Sequence, residues 1–160
     1  MFKSKTARGA AFGLLFLLAL ALPMQANADA RVPVKGTETG TFKVVRPCAT
    51  SGVVLEVTGS GHATHLGHYS GFYRECLDPA TGAVTGGTFT LTAADGDTIF
   101  GTFSGQAVPT DDPDVVNYED PGVITGGTGR FADARGRVTT SGLANLATGE
   151  YRGTIVGRMR

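Results

Sequence analysis

Beyond residue 28 the sequence has no long stretch free of glycine and proline; the longest is Thr88 to Asp95, eight residues. An average helix is about 11 to 12 residues long, and each interior glycine costs a helix about 1 kcal/mol, so this spacing excludes a helical domain. Apolar runs long enough to cross a bilayer as a helix are also missing after the N-terminal segment. Basic residues are dispersed, with only Arg130, Arg135 and Arg137 close together, which argues against a nucleic-acid partner. None of Ser51, Ser60, Ser70, Ser104 and Ser141 sits in a G-x-S-x-G nucleophile elbow. The D-x-D-x-D-G order of a calcium-binding EF-hand is absent too.

What is present first is an address. Lys3, Lys5 and Arg8 precede an apolar run from Ala10 to Leu22, and Ala26-Asn27-Ala28 follows. A basic start, a short apolar core and small residues at the minus-three and minus-one positions describe a signal peptide over residues 1–28. Cleavage is expected before Asp29, with cleavage after Ala30 as the alternative and a retained N-terminal anchor as the competing reading. No cysteine follows the apolar core, which argues against a lipid-anchored product. The expected location is periplasmic or extracellular, with one domain over residues 29–160 that is not membrane-embedded once processed. Removal of the leader leaves 11 basic and 14 acidic residues, a net charge of −3. The two cysteines, Cys48 and Cys76, read as a disulfide in an oxidising compartment; the competing reading, a reactive thiol, needs a setting that lowers its pKa.

Strands fit the glycine intervals. Val53, Leu55 and Val57 alternate with Val54, Glu56 and Thr58, and Phe89 and Leu91 alternate with Thr88, Thr90 and Thr92, a period of two that makes one face apolar. Ala94-Asp95-Gly96-Asp97 is a hairpin signal, and Ala147-Thr148-Gly149 separates two further strands. Strands are expected over Thr37 to Val45, Ser51 to Gly59, His62 to Leu77 with a bend near Gly67 or Gly71, around Thr88 to Asp95, Thr98 to Val108, Val115 to Thr125, Arg137 to Asn145 and Glu150 to Gly157. About eight antiparallel strands predict an all-β fold, a single closed barrel that removes exposed edges. A β-sandwich is the alternative. Gly67, Gly101 and Gly105 suit the sharp bends of a small barrel.

The densest cluster of interpretable residues is Ile124 to Gly136. Gly126, Gly127 and Gly129 suit a structural turn with positive φ between strands, and Phe131 is its apolar anchor. The letters from Gly127 to Ala132 also satisfy the loose dinucleotide pattern G-x-G-x-x-G/A, but Gly136 and Gly142 interrupt the helix that this pattern needs. Gly126-Gly127-Thr128-Gly129-Arg130-Phe131 with Ala134-Arg135-Gly136 resembles the GGTGRF…ARG signature of plant dirigent proteins and of exported bacterial proteins with an allene oxide cyclase barrel-like domain. Gly61, Ala63, Thr64, His65, Leu66 and Gly67 resemble a second segment of those bacterial relatives. The resemblance implies an eight-stranded antiparallel barrel, a fold used by cyclases, by coupling-directing proteins and by relatives of unknown role. It supplies no catalytic residue, and fold alone does not fix function.

The three histidines, His62, His65 and His68, suggest zinc or copper by clustering, yet alternation on a strand points His65 away from the other two. The expectation is no metal, with His65 lining the barrel or hydrogen-bonded. The acidic segment Thr110 to Gly122, with Asp111, Asp112, Asp114, Glu119 and Asp120, reads as a solvated loop rather than a calcium site. Glu56, His65, Tyr69, Tyr73 and Arg74 are the candidate ligand-binding residues if a cavity exists; no cofactor is expected. The first functional expectation is a barrel that binds a small apolar or phenolic ligand in its lumen. A structural or protein-interaction module, with an exposed apolar patch, is the second. The third is a cyclase or coupling-directing protein, which requires an open cavity lined by at least one charged pair.

Overall fold

A computed structural model describes residues 31–49 and 51–160; the expected signal peptide lies outside the described residues. Eight strands follow in chain order: β1 Val32–Pro47, β2 Val53–Ala63, β3 Gly67–Leu77, β4 Ala83–Ala93, β5 Thr98–Pro109, β6 Val115–Gly127, β7 Gly136–Asn145 and β8 Glu150–Met159. Each pairs antiparallel with its sequence neighbours, and β1 also pairs with β8, closing a barrel in the order β1 to β8. Closure makes the architecture a barrel and not a sandwich, and it leaves no unpaired edge. The one helical element among the described residues is a 3-10 turn over Gly129–Phe131, as the glycine spacing requires.

The expected strand from His62 to Leu77 is divided. His62 and Ala63 end β2, Thr64 to Leu66 form the turn, and β3 begins at Gly67. The chain reverses at His65, which takes a left-handed φ of 68°, and not at Gly71. Thr64 supports this turn: its Oγ1 donates to Pro33 O at 3.0 Å and accepts from Lys35 N. The acidic segment is divided too. Only Thr110 to Asp114 is loop, while Glu119 and Asp120 lie within β6. The Asp-Gly hairpin between β4 and β5 is as the sequence predicts, with Gly96 at φ +90°.

The barrel is packed at one end and open at the other. Val34, Ala63, Leu66, Tyr69, Phe89, Leu91, Ala93, Ile99, Ile124, Phe131, Ala134, Ile155 and Met159 form one buried cluster, filling the end where β1 starts. The GGTGRF stretch closes that end. Gly126 and Gly127 complete β6, Gly129 alone of the three has a positive φ, +54°, and Phe131 turns inward, 7% exposed. Arg130 fixes the turn from outside, its backbone N donating to Asp97 Oδ2 at 3.0 Å and its guanidinium pairing with Asp95.

At the opposite rim Cys48 and Cys76 are joined, with Cα atoms 6.1 Å apart, tying the β1–β2 loop to the end of β3. A bridge enclosing a loop of this length is worth about 3 to 4 kcal/mol in the chain-entropy model. Replacing both cysteines by serine is therefore expected to lower the unfolding free energy by about that amount in a denaturant titration; an unchanged midpoint would show that the bridge constrains nothing.

Candidate functional site

The open half of the lumen is a cavity of about 120 Å³, walled by Phe42, Leu55, Val57, Leu77, Val84, Phe89, Leu91, Phe103, Val138 and Ile155. These residues project inward because they share strand parity with the core. The larger polar side chains that share that parity and reach the same space are Glu38 on β1, Tyr73 and Glu75 on β3, Tyr118 and Asp120 on β6, and Tyr151 on β8, with the hydroxyl of Thr140 on β7 beside them.

Glu38 is the deepest of them. It is 6% exposed, a burial that costs a carboxylate several kcal/mol unless its oxygens are satisfied. Two phenols satisfy it. Tyr73 Oη donates to Glu38 Oε2 at 2.6 Å and Tyr151 Oη donates to Glu38 Oε1. Burial, and then the charge of Glu38, push the pKa of Tyr69, Tyr73 and Tyr151 well above the ordinary phenol value, so these hydroxyls remain protonated donors. Room for the rings comes from glycines. A Cβ on Gly59 would overlap Tyr151 Oη, one on Gly71 would stand 2.7 Å from the Tyr73 ring, and one on Gly153 would overlap Tyr118 Oη.

Nearer the mouth stand Glu75 and Asp120, on strands that are not neighbours. Burial first, and then the charge of Asp120, raise the Glu75 pKa to about 8. Burial and then the adjacent Glu119 raise that of Asp120 to about 7. Asp120 Oδ1 is buried with no hydrogen-bond partner among the described residues, pressed against the backbone where Gly105 leaves space. Among the residues lining the cavity none is Lys, Arg or His. The site is thus a ring-sized apolar chamber with a satisfied carboxylate at its floor and two uncompensated carboxyl groups on its walls.

Of the five residues proposed from sequence, Tyr73 lines the cavity, and Tyr69 points inward but sits in the packed end, 4% exposed, its hydroxyl on the side of Glu38. Glu56 and Arg74 occupy the opposite parity. They pair with each other on the outer surface at 3.5 Å, and Lys43 approaches Glu56 at 3.6 Å. His65 is an exposed turn residue at the closed end, beside a shallow depression formed with Gly129 to Ala134. His62 and His68 face each other across β2 and β3 on the exposed surface, ring centroids 5.1 Å apart. Among the described residues no three His, Cys, Asp or Glu side chains gather closely enough to hold a metal ion. Glu38, Glu75, Tyr118, Asp120 and Tyr151 were not anticipated. The signal for each was parity: every one lies two or four positions from an inward apolar residue or glycine of its own strand.

No protein-family model matches this chain, and no curated protein is significantly similar to it.

The raised carboxyl pKa values have a direct consequence for stability. The ordinary values are 4.5 for Glu75 and 3.8 for Asp120, so between about pH 4 and pH 8 the folded protein holds protons that the unfolded chain has released, and stability falls as pH rises through that window. The melting temperature is expected to be lower at about pH 8 than at about pH 5, and a variant carrying Glu75→Gln and Asp120→Asn should show a flatter profile. A wild-type slope no steeper than the variant's would contradict the uncompensated placement of the pair.

Proposed function

We propose that this protein is an exported β-barrel that holds one small apolar or phenolic molecule in the open half of its lumen. The observation that carries this reading is the cavity itself: about 120 Å³ of apolar space with carboxyl and phenol groups converging from four strands. An apolar cavity of about 150 Å³ accommodates benzene, so the chamber is sized for about one ring, and any substituent would extend toward the open end. Small-molecule sites elsewhere combine a mostly apolar wall with a few placed polar groups in this way. Export is supported by the N-terminal pattern and by the Cys48–Cys76 bridge. The closed barrel of eight strands is also the architecture expected from the resemblance to the allene oxide cyclase-like and dirigent-like families, and membership of that group is part of the proposal.

A second reading, chemistry on a reactive intermediate, is favoured by one observation: the cavity is open and carries the Glu75–Asp120 pair, groups able to hold or release a proton near neutral pH. Binding comes first in either case. Titration with p-cresol, followed by methyl NMR, should shift the signals of Leu55, Val57, Leu91 and Ile155 and leave those of outward Val44, Val123 and Val156 in place. Val57→Trp, which fills the chamber, should abolish the shifts. Shifts confined to the outer residues, or none at millimolar p-cresol, would sink the lumen reading.

A further inference from the structure

The charge inside the lumen is one-sided. Three carboxyl groups, Glu38, Glu75 and Asp120, face a cavity whose lining includes no Lys, Arg or His. Glu38 already accepts from two phenols, but Glu75 and Asp120 receive no hydrogen bond among the described residues, and Asp120 Oδ1 is buried and unpartnered. An isolated buried acceptor is costly and is retained when something else supplies its donor. The missing partner must bring donors and positive charge. It must also be small and largely apolar, because most of the remaining lining is Phe, Leu, Val, Ile, Ala and Tyr.

Resting on the lumen reading above, we infer that the ligand is a compact apolar amine, one ring or a short branched alkyl group bearing a protonated nitrogen held between Glu75 and Asp120. A primary ammonium carries three donors and a charge, enough to serve both carboxyl groups as its charge favours their ionised forms and their protons pass to solvent, whereas an alcohol or phenol brings one donor and no charge. Phe89, Phe103 and Tyr118 line the same chamber and offer ring faces that attract cations. The mouth has the same sign: Asp111, Asp112 and Asp114 occupy the loop between β5 and β6, and Asp114 O accepts from Leu146 N, whose side chain lines the cavity. Such a field concentrates cations at the opening and repels carboxylate or phosphate ligands of the same shape.

Three near-isosteric probes separate the possibilities: phenethylamine, 2-phenylethanol and phenylacetate, each titrated into the mature oxidised protein by calorimetry at about pH 7.5. The amine should bind about tenfold or more tighter than the alcohol, the gain typical of a charge-assisted hydrogen bond, and phenylacetate should bind most weakly. Glu75→Gln with Asp120→Asn should bring the amine's affinity down to that of the alcohol, with benzene, which has no donor to give either group, serving as the check that the chamber is intact. Equal binding of amine and alcohol, or a preference surviving in the double variant, overturns the amine assignment and leaves the lumen reading standing. If the alcohol and the amine both fail to bind the wild-type protein, the lumen reading falls with it.

Discussion

A carboxyl group at the centre of a small barrel is costly to bury unless donors hold it, and that requirement at Glu38 organises much of this chain. Two phenols meet it from two different strands, Tyr73 on β3 and Tyr151 on β8. The geometry needs the sheet to be closed, because β8 reaches Glu38 only by pairing with β1. It also needs the inward positions beside these groups to be empty, which explains why Gly59, Gly71 and Gly153 share parity with apolar side chains. These glycines make space for rings and a carboxylate that a Cβ would exclude.

The Glu38 cluster divides the lumen. On its closed side, Phe131 and Ala134 from the GGTGRF stretch, Leu66 from the His65 turn and the inward residues of the strand ends pack into one core. On its open side the walls stay apart, and the disulfide and the acidic loop mark the rim. A barrel filled throughout would gain more burial; this one forgoes it in half its interior and places two carboxyl groups there without donors. That combination is poorly explained by stability, since giving up burial and leaving carboxyl groups without partners both cost free energy.

The fold was largely legible in the sequence, and the site only partly so. Glycine spacing, period-two alternation and the Asp-Gly turn were enough for about eight strands, because each is a local consequence of backbone geometry; closure was expected only because it removes exposed edges, with a sandwich as the alternative. The bend expected near Gly67, which has φ +69°, is a full reversal centred on His65, and that centre was not legible because a non-glycine residue with positive φ carries no strong sequence mark. Glu56 and Arg74 drew attention as charged residues beside apolar ones, but adjacency on a strand means opposite faces, and they lie outside the barrel. Tyr151 and Glu38, 113 positions apart, meet only through the β1–β8 pairing. No local pattern foretells that meeting. Asp120 was hidden differently, absorbed into an acidic segment whose first half is indeed a loop.

The central claim is that the upper lumen is an open, apolar, ring-sized space floored by Glu38. Crystals of the mature protein pressurised with xenon test it most directly, since xenon enters apolar cavities and reports their position by its scattering. The account predicts a xenon site inside the barrel between Phe89, Phe103 and Leu91, on the open side of Tyr73 and Tyr151. A lumen without xenon, with Phe42, Leu77 and Leu146 meeting across the barrel axis, would contradict it.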